Sequence, residues 1–126
     1  MATKKAIRVL IVDDDDLTRT LLRGILRADD CEIVGEASNG ESGLEMAVRL
    51  QPDVICLDVV MPKKGGLDIL PQIRSRLPET AVLMVTGSTD QETVHAAIAG
   101  GAVGYVEKPF NAARVVAAIR QAVAKP

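Results

Sequence analysis

Short apolar runs recur along the chain, and behind each one apolar residues return every three or four positions. Arg8 to Val12 (RVLIV) reads as a first strand, and Leu17, Leu21, Ile25 and Leu26 then repeat at helical spacing, with Asp16 placed to cap that helix. Glu32 to Ala37 alternates as a second strand, Asn39-Gly40 is a turn signal, and a helix carrying Leu44, Ala47, Val48 and Leu50 runs to Pro52. Val54 to Leu57 is a continuous apolar run, the mark of a strand buried on both faces. Leu67 to Leu77 reads as the third helix; Pro71 inside it requires either a kink or a start late enough to make the lost N–H harmless.

Ala81 to Val85 (AVLMV) predicts a fourth strand, and Thr89 and Glu92 stand at capping-box spacing before a helix that closes at Gly100-Gly101. Ala102 to Val106 supplies a fifth strand. Asn111 caps the last helix, whose Val115, Val116, Ile119 and Val123 face inward. Strand and helix thus alternate five times. Right-handed crossovers turn that order into an α/β fold, a doubly wound five-stranded parallel sheet covered by helices on both faces, in one domain over residues 1–126.

Polar residues appear where the strands stop. The first strand delivers Asp13, Asp14, Asp15 and Asp16, the third ends at Asp58, the fourth at Thr86-Gly87 and the fifth near Lys108-Pro109. In an open parallel sheet these carboxyl ends share one edge, where loops form a crevice. Taken alone, the four acids also fit a solvated helix start. Convergence with Asp58, Thr86 and Lys108 changes that reading.

Composition narrows the classes. One Phe, one Tyr and no Trp argue against flavin or nucleobase stacking, and a net charge of -2 with pI about 5.4 gives no field to draw nucleic acid or a membrane. The early apolar stretch Ile7 to Val12 is too short for a signal segment, so a cytoplasmic location is expected. Cys31 and Cys56 read as small buried hydrophobes. With the first strand between theirs they would lie roughly two strand spacings, about 9 to 10 Å, apart, beyond disulfide reach.

Carboxylates roughly 5 Å apart repel by about 3 kcal/mol per pair at an effective dielectric near 20. A hard divalent cation with oxygen ligands relieves this, and Mg²⁺ held by one or two carboxylates usually partners a phosphoryl group. Lys108 and Thr86 suit further phosphoryl oxygens by charge and hydrogen bond. With no Cys at that edge, and His95 expected on the surface of the fourth helix, Asp58 is the candidate nucleophile, forming an aspartyl phosphate.

From about Arg8 to Val123 the sequence resembles a response-regulator receiver domain of two-component signalling, of the chemotaxis-regulator kind. The resemblance rests on IVDD at Ile11 to Asp14, LDVVMP at Leu57 to Pro62, Gly66, VTG at Val85 to Gly87 and GYVEKPF at Gly104 to Phe110. It implies a flavodoxin-like strand order 2-1-3-4-5, and Asp58 as acceptor of a phosphoryl group from a histidine kinase or histidine phosphotransfer protein. It also implies Mg²⁺ ligated by Asp14, Asp58 and the Val60 main-chain carbonyl, with Asp13 acting mainly through water. Lys108 would pair with the phosphoryl group ahead of a cis peptide at Pro109. Thr86 and Tyr105 would be a switch pair, re-setting the face of helix 4, strand 5 and helix 5 for a downstream protein target. The state expected is a monomer or a phosphorylation-dependent dimer, standing alone rather than as part of a longer regulator.

Departures from the family pattern carry expectations of their own. Gly65, where Asp or Asn is frequent, is expected to loosen its loop. Val60 has no polar side chain to orient an attacking water, so slow self-dephosphorylation is expected. Small Gly87 leaves the site open to a phosphodonor. Lys63, Lys64, Arg114 and Arg120 read as solvated basic surface or as partner contacts. An alternative from another class is a haloacid-dehalogenase-like phosphatase, because Asp14 to Thr18 fits DxDxT with Asp14 as nucleophile. That family expects acidic ligands after the lysine, and no Asp or Glu follows Glu107. A flavodoxin-like electron carrier would need a phosphate loop and aromatic walls, and this sequence has neither.

Overall fold

Side chains alternate across a strand, so a run that is apolar throughout needs cover on both faces. Val54–Asp58 (β3) and Ala81–Thr86 (β4) are buried at every position and take the middle of the sheet with Arg8–Val12 (β1). Glu32–Ala37 (β2) and Gly104–Glu107 (β5), more mixed in character, form the edges. The computed structural model describes residues 6–61, 65–87 and 91–124. All neighbouring strands pair in parallel, in the order β2-β1-β3-β4-β5. The helices are Asp16–Ala28 (α1), Gly40–Leu50 (α2), Gly66–Arg76 (α3), Gln91–Ala99 (α4) and Ala112–Val123 (α5).

The two faces have separate cores. Val9, Ile11, Val54, Cys56, Leu83 and Val85 pack with Leu22 and Leu26 of α1 and Val115 and Ile119 of α5. Their neighbours Leu10, Val12, Ile55, Leu57, Val82 and Met84 pack with Ala47 of α2, Ile69, Leu70 and Ile73 of α3, and Ala97 of α4. Both cysteines are free and buried, with Cys31 one residue ahead of β2. Among the described residues, no helix is long and apolar enough to cross a membrane.

Several elements differ from expectation, each for a local reason. The cap of α1 is Asp15, not Asp16: its carboxylate accepts from the Thr18 N–H at 3.2 Å and the Thr18 hydroxyl at 2.6 Å. With its hydroxyl satisfied, Thr18 can be buried, and the inward stripe becomes Thr18, Leu22 and Leu26. Leu17 and Leu21, expected inside, are 64% and 49% exposed. Asn39 is the N-cap of α2, accepting from the Ser42 N–H at 2.8 Å, and Val48 lies at the surface. In α3 the start at Gly66 puts Pro71 inside the helix, exposed, and the helix continues past it to Arg76.

Asn111 caps α5 as expected, with Val115 and Ile119 buried and Val116 and Val123 half-buried. β4 runs one residue further, to Thr86, while β5 starts at Gly104 instead of Ala102. Gly101 has φ +109, and the Ala102 N–H still bonds back to the Ala97 carbonyl at 2.9 Å, so the chain is not yet extended there. The expected cap Thr89 lies outside the described residues, as do Pro62, Lys63 and Lys64.

The outward turn of α1 gives a direct check by urea unfolding. Leu22→Ala should cost about 2–5 kcal/mol, and Leu21→Gln no more than about 0.5 kcal/mol. Equal losses would return Leu21 to the core.

Candidate functional site

Parallel pairing brings the strand ends level. Val12 pairs with Leu57, Asp58 with Val85 and Thr86 with Glu107, so the residues that leave β1, β3, β4 and β5 meet at one edge. Asp13 and Asp58 are only 1% and 4% exposed, Thr86 is buried, and Asp14 lies open at the rim. One carboxylate oxygen from each of Asp13, Asp14 and Asp58 lies within 4.8 Å of the others. The Lys108 ammonium stands 3.3 Å from Asp13 Oδ2 and 3.8 Å from Asp58 Oδ1. Its backbone N–H donates to the Thr86 carbonyl at 2.8 Å, and the Lys108–Pro109 peptide is cis, as expected.

Main-chain donors hold the acids in place. The Val60 N–H donates to Asp58 Oδ1 at 3.2 Å and the Asp15 N–H to Asp13 Oδ1 at 2.9 Å. Asp13 Oδ2 is buried and, among the described residues, accepts no hydrogen bond, the Lys108 contact being an ion pair without hydrogen-bond geometry. Burial pushes the Asp58 carboxyl up to about 7, and Asp13 and then Asp14 add to the rise; Lys108 and the Val60 N–H oppose it. A buried carboxylate oxygen with an ion pair but no hydrogen bond, among all-oxygen donors, fits a hard divalent cation.

Glycine packing shapes the loop after Asp58. A Cβ on Gly66 would stand 2.3 Å from the Asp58 carbonyl oxygen, and one on Gly65 2.6 Å from the Val59 carbonyl oxygen. Gly65 admits a close backbone approach that a side chain would block. The Asp68 carboxylate accepts from its N–H at 3.0 Å. Val60 is 76% exposed, and among the described residues nothing crowds a Cβ at Gly87.

Tyr105 is 46% exposed. It pairs with Met84, two residues before Thr86, so Tyr105 and Thr86 are diagonal neighbours on one face of the sheet. His95 is at the surface, and Arg120 is not simply solvated, because it pairs with Asp29 at 2.7 Å. The structure adds Arg19, which sequence reading missed. Its guanidinium reaches the Asp13 carbonyl at 2.6 Å. Only its i,i+3 spacing from Asp16 was visible beforehand.

The family profile described as the response regulator receiver domain matches residues 9–120. The chain belongs to the response-regulator receiver family. The receiver is 39% identical over 117 residues to the transcriptional regulatory protein LiaR of Bacillus subtilis, spanning 92% of this chain and 56% of LiaR. It is 37% identical over 116 residues to the chemotaxis protein CheY of Listeria monocytogenes, spanning 92% of this chain and 98% of CheY. A chain in the crystal structure of the CheX–CheY–BeF3–Mg²⁺ complex from Borrelia burgdorferi superposes with TM-score 0.90 at 26% identity, covering 94% of the receiver and 90% of that chain. Receiver domains are signalling switches of two-component systems. That assignment runs against the phosphatase alternative, whose nucleophile would be the rim residue Asp14 rather than buried Asp58.

The raised Asp58 carboxyl predicts how the metal-free receiver responds to pH. Between about pH 4, where an unfolded aspartate titrates, and about pH 7 the folded state keeps a proton that the unfolded state has lost, so stability falls as pH rises through that window. Urea midpoints measured in chelator should show this fall in the wild type. In Asp58→Asn that part of the slope should disappear; identical slopes would show that Asp58 titrates normally.

Proposed function

We propose that Asp58 is the phospho-acceptor of this receiver, taking a phosphoryl group from the phosphohistidine of a histidine kinase or histidine phosphotransfer protein. The observation that carries the reading is buried Asp58 at the end of β3, with two further carboxylates inside 4.8 Å and an ammonium at 3.8 Å. Residues 9–120 act as one receiver unit in this reading.

Asp58 Oδ1 is tied to the Val60 N–H and faces Lys108, so attack is assigned to Oδ2. An oxygen–phosphorus bond forms as the phosphorus–nitrogen bond of the donor breaks, and the released imidazole keeps the electron pair and later takes a proton. Asp14, Asp58 and the Val60 carbonyl would hold Mg²⁺, with Asp13 acting mainly through water. Such a cation would offset the charge of the carboxylates, favour the anionic form of Asp58 and stabilise charge on the phosphoryl oxygens. The Borrelia complex, which contains Mg²⁺ and BeF3, supports this choice of cation.

Lys108 pairs with the arriving phosphoryl oxygens, and the Thr86 hydroxyl moves to one of them. The space Thr86 leaves admits the Tyr105 ring, and the α4/β5/α5 face changes its preference for a protein target. The output is a protein contact; nucleic acid and membrane have no direct part. The chain works in the cytoplasm, as a monomer or as a dimer formed on phosphorylation.

Acetyl phosphate with Mg²⁺ should add one phosphoryl group to the wild type, read by intact mass, and none to Asp58→Asn; label persisting in that variant would remove Asp58 as acceptor. Val60→Asn should shorten the lifetime of the same label, and an unchanged lifetime would detach Val60 from self-dephosphorylation. Tyr105 is the chain's one tyrosine and there is no Trp, so emission excited to the red of the Phe110 absorption reports on that ring alone. Phosphorylation should reduce acrylamide quenching of Tyr105. Thr86→Ala should abolish the reduction, and equal quenching in both states would refute the switch.

A further inference from the structure

Arg19 lies outside the acidic edge yet is bonded into it. Its side chain is 16% exposed, its Nη1 donates to the Asp13 carbonyl at 2.6 Å, its Nη2 bonds Asp16, and its Nε stands 3.6 Å from Glu36 of β2. Glu36 is held in turn by Arg23 at 2.7 Å. The Asp13 N–H donates to the Ala37 carbonyl at 3.0 Å, and the Asp15 N–H reaches the Asp13 side chain at 2.9 Å. Asp13 is thus fixed at its N–H by β2, at its carboxylate by the helix cap, and at its carbonyl by Arg19.

That carbonyl belongs to the peptide joining Asp13 to Asp14. A peptide unit is planar, so fixing its oxygen fixes the plane from which both residues set out. We infer that Arg19 is a positioning residue for a divalent cation at this edge: its guanidinium holds the Asp13–Asp14 peptide, and Glu36 holds the guanidinium. This rests on the metal reading given under Proposed function. Outer partners that orient ligating carboxylates are a recognised determinant of metal affinity.

The direction of the effect separates positioning from charge. If Arg19 acted on the cation through space, removing its positive charge would tighten Mg²⁺ binding. If it acts by holding the peptide, removal loosens binding.

Calorimetric titration of the full chain with Mg²⁺ reads this directly, alongside thermal melts of each metal-free variant. Arg19→Gln should weaken Mg²⁺ by about 10-fold, and Arg19→Lys, which keeps one donor group, should recover part of the loss. Arg19→Lys, in which the charge is kept and through-space action predicts no change, supplies the test if Arg19→Gln does not fold; Glu36→Gln should weaken binding too, a direction that loss of its negative charge alone also gives. Arg120→Ala removes a remote ion pair, Arg120–Asp29 at 2.7 Å, and should leave the Mg²⁺ constant unchanged. Unchanged or tighter binding in Arg19→Gln, or equal weakening in Arg120→Ala, overturns the inference. Mg²⁺ binding that fails in the wild type, or survives Asp14→Asn intact, removes the underlying reading as well; binding lost in Asp14→Asn but untouched in Arg19→Gln removes this inference alone.

Discussion

Burying Asp13 and Asp58 side by side, with Asp14 at the rim, is unfavourable unless positive charge faces them. Much of the surrounding architecture answers that repulsion. Four parallel strands bring their ends to one edge, β5 leads to Lys108 there, and backbone N–H groups from Val60 and Asp15 take up carboxylate oxygens. The answer is incomplete, because among the described residues Asp13 Oδ2 still lacks a hydrogen-bond donor and the Asp58 carboxyl remains raised. A site left in this condition suits a cation, as the proposed function requires.

The sheet supplies this edge cheaply. Because β1, β3 and β4 are apolar on both sides, they sit centrally and need only helices to cover them, which leaves the carboxyl ends free of core duties. Matching register then does the positioning. Asp58 opposite Val85, and Thr86 opposite Glu107, bring carboxylate, hydroxyl and ammonium together from three neighbouring strands.

Much of this was legible in the chain. Asp13, Asp58, Thr86 and Lys108 stand out because each follows an apolar run, and local pattern is enough to find a strand end. The facing of α1 was not legible from periodicity, since two interleaved stripes compete and the choice turns on a hydroxyl that Asp15 satisfies. The late start of β5 depends on a hydrogen bond back to α4, and the role of Gly65 on a carbonyl that only the folded loop brings near. Arg19 was hidden for a different reason. Its partners Asp13 and Glu36 come from two strands, and no spacing along one element reports a contact across three.

The approach of Gly66 to Asp58 has a mechanical meaning. No side chain separates the first residue of α3 from the peptide of Asp58, and the Gly66 N–H bonds the Val59 carbonyl at 3.0 Å. The start of α3 and the backbone of Asp58 are therefore in direct contact, with no side chain packed between them. In the switch proposed above, displacement answering new charge at this edge would therefore fall to the groups that reach it through rotatable side chains, on the β4 and β5 flank, which would set the lever arm of the molecule on one side.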